Sequence, residues 1–181
     1  MKHKYQVRIS MNLTKPKPGV DDKVDDDGGL ESGLVTESLP DISRDFFDGN
    51  STPEEKKNQL VLEGEFQLIW VVQTSHAAAT MHSGPGVELD DGVFTVYVVR
   101  DMSRFELLQL LIDIDTGDHA GRENVEVYKA SSYRIDPFVH PEGGEERNSM
   151  LSLDGELVEY GTIQAKVLPK AARILKLPNF K

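Results

Sequence analysis

The 181-residue sequence predicts a mainly β fold, a β-sandwich with one principal helix and a disordered acidic insertion. Three observations carry that prediction. Apolar residues alternate with polar ones over several short stretches, turn residues separate those stretches at hairpin spacing, and one stretch alone changes to a helical period.

The first element is Tyr5 to Leu13, where Tyr5, Val7, Ile9, Met11 and Leu13 stand at strict period two, the mark of a strand with one buried face. From Asp21 to Asn58 there are twelve acidic and four basic residues, so this stretch supplies −8 of the chain's net charge of −11. Acid runs, Gly-Gly, Pro and Ser leave it too little apolar surface to offset its ordering entropy, and residues 14–58 are expected to be a disordered insertion or a plain solvated loop. Phe46-Phe47, within SRDFFDG, is the pair able to dock locally.

After the insertion, Gln59 to Glu63 (QLVLE) and Glu65 to Gln73 (EFQLIWVVQ) read as a strand pair or as one long strand broken at Gly64. Ser83 to Gly86 (SGPG) is a turn. Val87 to Leu89, the turn Asp90-Asp91-Gly92 and Val93 to Val99 read as a hairpin. Asp101 to Ser103 can cap a helix whose Phe105, Leu107, Leu108, Leu110, Leu111, Ile112 and Ile114 cover more than one face, ending near Thr116-Gly117. A helix so apolar meets more than a core alone. Val125 to Tyr128 and Ser131 to Ile135 return to strand, Pro137 to Glu146 is a loop, and Met150 to Leu153, the turn Asp154-Gly155, Glu156 to Tyr160 and Thr162 to Leu168 close the fold.

Composition excludes several functions. Without cysteine there is no disulfide framework, thiolate metal site or cysteine nucleophile, which fits the cytosol. The acidic balance argues against nucleic acid. The amino terminus MKHKYQVRIS has no apolar run behind it, and Phe66 to Val72 is too short to span a bilayer. SGPG is no phosphate loop, because neither GxxxxGK[ST] nor GxGxxG opens a helix here, and no GxSxG elbow occurs. The histidines His3, His76, His82, His119 and His140 lack metal-ligand spacing, so no metal site is expected. Asp154-Gly155-Glu156 is the one carboxylate arrangement of interest. On strands, positions i and i+2 share a side and both carboxylates could face one cleft; the other reading is an ordinary Asp-Gly hairpin turn.

The order of several pieces resembles the carboxy-terminal region of sphingosine kinases, members of the diacylglycerol kinase-like lipid kinase superfamily. These are Thr74-Ser75-His76, Gly-Pro-Gly, Asp91-Gly92, Val98-Val99-Arg100, Ser103-Arg104, the Leu-rich helix with Gly117-Asp118-His119, Arg134-Ile135-Asp136-Pro137, and Leu153 to Gly161 (LDGELVEYG) with Ile163-Gln164-Ala165. The resemblance implies residues 1–13 as the first strand of a lipid-binding domain, 14–58 as a variable acidic insertion, and 59–181 as the carboxy-terminal sandwich portion. It implies a parent reaction in which ATP, with Mg2+, phosphorylates sphingosine to sphingosine 1-phosphate. The glycine-rich loop of the family's amino-terminal domain has no counterpart in these residues, so a missing kinase domain is an expected partner and the chain is expected to be inactive alone, with no catalytic residue of its own. Carried over by position, Leu107, Leu110, Leu111, Ile114 and His119 line the acyl-chain tunnel, or the leucines pack against the sheet, or both. Asp154, Gly155 and Glu156 face the nucleotide. Cytoplasmic localisation with attachment to a membrane surface follows from the lipid substrate. The rival readings are a ceramide or diacylglycerol kinase fragment, and a non-enzymatic lipid-binding or adaptor domain.

Overall fold

The computed structural model describes residues 5–14, 47, 57–137, 151–168 and 171. The expected insertion 14–58 thus lies outside the described residues apart from Thr14, Phe47, Lys57 and Asn58, as does most of the loop expected from Pro137 to Glu146. The elements in chain order are β1 (Tyr5–Leu13), β2 (Gln59–Phe66), β3 (Leu68–Val72), β4 (Phe94–Val99), helix α1 (Arg104–Asp113), a 3-10 turn (Asp118–Gly121), β5 (Glu126–Pro137), β6 (Leu151–Leu153), β7 (Glu156–Val158) and β8 (Ile163–Lys166). The mainly β class with one principal helix is what the alternation predicts.

Six strands form one antiparallel sheet in the order β2-β1-β5-β4-β3, with β8 also paired to β5. β5 is long enough to serve three partners because β1 holds one edge while β4 and then β8 share the other. Opposite β1, Ser132 pairs with Asn12 but Ala130 with Leu13, so Ser131 is an extra residue in β5. Such a bulge bends its strand and strengthens the local twist. It also shifts the pattern by one, so Tyr128 and Ala130 before it, and Tyr133 and Ile135 after it, all pack into the same cluster.

The bend folds β1 and β2 over β3 and β4. Ile9 and Met11 from one side meet Val96 and Val98 from the other in a core cluster where all four are fully buried. The two ends of the strand order are also covalently joined, since only Gln67 separates β2 from β3. Gln67 makes this corner. Its backbone N–H donates to the Val99 carbonyl at 2.8 Å, and its side-chain amide donates to the Met102 carbonyl (3.0 Å) and accepts from the Met102 N–H (2.7 Å). The break expected at Gly64 therefore falls three residues later: Gly64, at φ +131°, stays inside the ladder opposite Val7.

The other face of β3 and β4 carries a second cluster, with Val72, Tyr97 and Val99 packed against Met102, Leu110 and Val125. α1 lies on this face. Ser103 starts it through a reciprocal cap, accepting from the Glu106 N–H (3.2 Å) while its own N–H donates to the Glu106 carboxylate (2.6 Å). Gly117 ends the turn beyond it at φ +85°, its N–H donating to the Asp113 carbonyl at 2.9 Å. The hairpin expected from Val87 to Val99 does not form. β4 has both edges taken by β3 and β5, so Val87 enters the core as a loop residue and Leu89 stays exposed.

Candidate functional site

The residues assigned to an alkyl-chain tunnel separate on α1. Leu110 and Ile114 are buried and Leu107 is half-buried, and Leu107 and Leu110 pack into the cluster around Tyr97 and Met102. Leu111 does not join them; it is 62% exposed, beside Phe105 (67%), Leu108 (55%) and Ile112 (64%). At 3.6 residues per turn, the inward stripe of Leu110, Ile114 and Leu107 spans about 60° of the helix circumference, and the outward arc from Leu111 to Phe105 spans a further ~120°. Glu106, Gln109 and Asp113 make a polar side, and Arg104, in the first turn, falls within the outward arc between Leu111 and Leu108. The sheet covers the narrower part of an apolar surface, and the wider part faces solvent.

His119 is set in the 3-10 turn behind the helix and is 2% exposed. Its ring lies 5.0 Å from Tyr97 and 5.8 Å from Trp70, centroid to centroid. Nε2 donates to the Ser83 carbonyl at 3.2 Å, which places the proton on that nitrogen. Burial lowers its pKa below the usual histidine value, with a smaller push from His82, outweighing the Ser83 and Asp113 backbone contacts and the Asp113 carboxylate that favour the charged form. The imidazole is therefore neutral at pH 7, with a buried Nδ1 that meets no hydrogen-bond partner among the described residues; the hydroxyl of fully buried Ser83 is in the same position.

What holds this corner was not visible in the sequence. The loop from Thr74 to Gly86 clamps the end of α1: the His82 ring stacks on His76 at 4.5 Å with planes 8° apart, and its Nδ1 lies 3.3 Å from the Thr116 carbonyl. A Cβ on Gly117 would sit 2.7 Å from the His82 Nδ1, so glycine is required there for contact as well as for its φ. Gly84 is needed for the same reason, its Cβ position lying 2.6 Å from the Thr74 carbonyl. Val87 N–H donates to the Gly84 carbonyl (3.0 Å) across Pro85 and Gly86, a turn that takes Gly86 to φ +72° and confirms SGPG as a turn. The residue pattern offered one signal, a histidine beside the serine that receives His119.

Asp154 and Gly155 are the two central residues of the β6–β7 hairpin, at φ +50° and +88°, and Leu153 pairs with Glu156. Positive φ at both makes a type I′ turn, whose twist suits the flanking strands. Asp154 and Glu156 are exposed, but as a turn residue and a paired strand residue they do not share one side of a strand, so the alternation argument for a carboxylate pair does not apply. Asp154 does reach the sandwich electrostatically: burial raises the pKa of Tyr133 and the Asp154 charge adds to it. Among the described residues no group of three or more His, Cys, Asp or Glu could hold a metal ion, and no helix is long and apolar enough to cross a membrane. A cavity of about 360 Å³ opens on the outward face of β1, β2 and β5, and none of the tunnel or nucleotide residues lines it.

Residues 56–176 match the family described as the YegS C-terminal NAD kinase beta sandwich-like domain. The chain is 33% identical over 122 residues to sphingosine kinase 2 of Homo sapiens, covering 66% of this chain and 18% of that protein. It is 28% identical over 134 residues to sphingosine kinase B of Dictyostelium discoideum, covering 72% of this chain and 17% of the relative. With sphingosine kinase 1 of Caenorhabditis elegans it shares 28% identity over 162 residues, 88% of this chain and 32% of the relative. The chain thus spans less than a third of the curated relatives it matches.

Proposed function

The chain belongs to the YegS C-terminal NAD kinase beta sandwich-like domain family, and from that premise we propose that it is the lipid-binding carboxy-terminal part of a sphingosine kinase. The parent reaction is transfer of the ATP γ-phosphoryl group to the primary hydroxyl of sphingosine. The observation that carries the proposal is the outward apolar arc of α1, which the sheet leaves uncovered. A long-chain base supplies what that arc lacks, since each methylene withdrawn from water contributes about 0.8 kcal/mol. In this reading Leu111 contacts the alkyl chain directly. Leu107, Leu110 and Ile114 form the inward stripe by which α1 is held, with His119 buried behind it, and polypeptide outside these residues closes the pocket.

The Mg2+ and the ATP phosphates of the parent reaction are assigned to an amino-terminal kinase domain. The exposed Asp154-Gly155-Glu156 turn is the part of this chain that faces the nucleotide across the domain boundary. No proton transfer is assigned to it. A lipid substrate also makes peripheral attachment to a membrane, on the cytoplasmic side, part of the proposal.

Two measurements test this. The 181-residue chain alone is expected to give no ATP-dependent phosphorylation of sphingosine. Placed behind the ATP-binding part of a sphingosine kinase relative, it is expected to restore turnover, with sphingosine preferred over ceramide and diacylglycerol. In that fusion Leu111→Asp raises the KM for sphingosine by about tenfold or more, equivalent to roughly 1.4 kcal/mol of lost lipid contact, without unfolding the chain. Turnover by the chain alone, or an unchanged KM in Leu111→Asp, would refute the proposal.

A further inference from the structure

Residues 74–84 fold back on themselves and lie against the turn that follows α1. Ala77 N–H donates to the Met81 carbonyl (3.0 Å), Met81 N–H to the Ala78 carbonyl (3.1 Å) and Gly84 N–H to the Ser75 carbonyl (3.0 Å), so a run of small residues brings His82 back over His76. The two rings stack with centroids 4.5 Å apart and planes 8° apart. Nearly parallel rings hold their in-plane lone pairs on parallel lines that do not converge on one metal ion, so the stack is not a chelating pair.

The two histidines are held unequally. His82 is half-buried, its Nδ1 donates to the Thr116 carbonyl at 3.3 Å, and its ring occupies the space that a Cβ on Gly117 would need. Carbonyls at the end of a helix favour a cation there. His76 is exposed, and its Nδ1 lies 3.1 Å from the hydroxyl of its own neighbour, Ser75. On the α1 side, Asp113 is paired with Arg122 at 2.6 Å, Asp118 accepts from the Thr116 hydroxyl at 2.7 Å, and buried His119 feels the charge of His82. The sheet brings Trp70 and Tyr97 against His119, and burial keeps the Tyr97 hydroxyl neutral over the same range.

This loop covers a costly spot. The Ser83 carbonyl accepts from His119 Nε2, while the Ser83 hydroxyl and His119 Nδ1 are buried without a hydrogen-bond partner among the described residues. Water reaching either atom would relieve its desolvation cost, so closure depends on the contacts that hold the loop down, the histidine stack among them. Histidine is the side chain that gains charge between about pH 8 and pH 5. Two unit charges 4.5 Å apart in water repel enough to shift an equilibrium about fivefold, and His76 is the ring free to leave.

We propose that the His76–His82 stack is an acid-sensitive latch on a flap formed by residues 74–84, closed over the His119 corner while at most one ring is charged and opened when both are, with His76 swinging out and His82 staying on Thr116. The latch is independent of what α1 binds. Hydrogen exchange on the full 181-residue chain tests it at the amides of Ala77, Met81, Ser83 and Gly84, compared at about pH 7.5 and about pH 5.5 after correction for the intrinsic pH dependence of exchange. Flap protection in wild type is expected to fall about fivefold at the lower pH while amides of β1 and β4 keep theirs, as in local opening. About 1 M NaCl, where the Debye length is about 3 Å, should restore most of the loss. His76→Phe, whose ring stacks and takes no proton, should hold its protection at both pH values. Flap protection independent of pH, a loss in His76→Phe equal to that in wild type, a loss that salt leaves unchanged, or an equal loss in β1 and β4 would each overturn the proposal.

Discussion

Leu110 and Leu111 are neighbours in sequence and opposite in environment, so truncating each separates packing from ligand contact. Leu110 is 3% exposed within the cluster that includes Tyr97, Val99 and Met102. Removing its branched end opens a cavity beneath α1, and Leu110→Ala is expected to cost about 3 kcal/mol, inside the ~2–5 kcal/mol span for such sites. Leu111 is 62% exposed, so little more than a third of its surface leaves water on folding. With roughly 2 kcal/mol for a fully buried leucine side chain, and part of that retained by alanine, Leu111→Ala costs about 0.5 kcal/mol. The assay is urea unfolding followed through Trp70, the single tryptophan, whose ring lies 5.8 Å from both Tyr97 and His119 in the region perturbed. At about 1.5 kcal/mol per molar urea, the midpoint falls by about 2 M for Leu110→Ala and ~0.3 M for Leu111→Ala. Similar losses from the two variants would show that α1 does not rest on its Leu110 side, and the assignment of Leu111 to a ligand would fall with it.

Two pH dependences follow from buried groups. Burial and the Glu126 carboxylate, which accepts from the Tyr128 hydroxyl at 2.5 Å, push the Tyr128 pKa up to about 12. A raised pKa means that its contribution is complete below pH 10 and lost as pH rises to about 12, and solvent screening at this half-buried site keeps it small. Unfolding midpoints between pH 8 and 12 should fall less steeply in Tyr128→Phe than in wild type, and parallel curves would exclude the contact. His119 runs the other way: burial depresses its pKa, so the neutral ring stabilises the fold above about pH 6.5 and that contribution is lost as pH falls through the depressed value. His119→Asn, which keeps a donor for the Ser83 carbonyl, should be less sensitive than wild type between pH 7 and 5.5; identical acid sensitivity would mean that another group titrates.

How far the sequence could be read depended on the range of the interaction. β1 and β4 are legible because period two and β-branched residues are local, as is the start of α1 from the Ser103 to Glu106 spacing and the Asp154-Gly155 turn from its dipeptide. The corner at Gln67 was not, because its cause is the backbone of Met102, thirty-five residues away. The missing Val87 to Leu89 strand follows from β5, distant in sequence, taking the edge of β4. At the candidate site the seven apolar residues of the helix read alike, and only the direction from which the sheet approaches divides Leu110 from Leu111. The His82 clamp depends on the bare Cα of Gly117, a contact that no spacing rule encodes.

The closure of the sheet bears on what α1 is for. With β2 and β3 joined through Gln67 and both buried clusters formed from described residues, the exposed arc of Phe105, Leu108, Leu111 and Ile112 contributes little to holding the fold. Four large apolar side chains on one side of a helix, exposed among the described residues, are the kind of patch that marks an interaction surface. The groove on β1, β2 and β5 is the reverse case, bordered by the charged residues Arg8, Glu63, Arg134 and Asp136. The two faces therefore set different requirements: the arc of α1 suits an apolar body, and the groove a polar one. A long-chain base meets the first requirement and not the second. That asymmetry is why the proposed lipid contact is placed on the helix and not on the outer sheet.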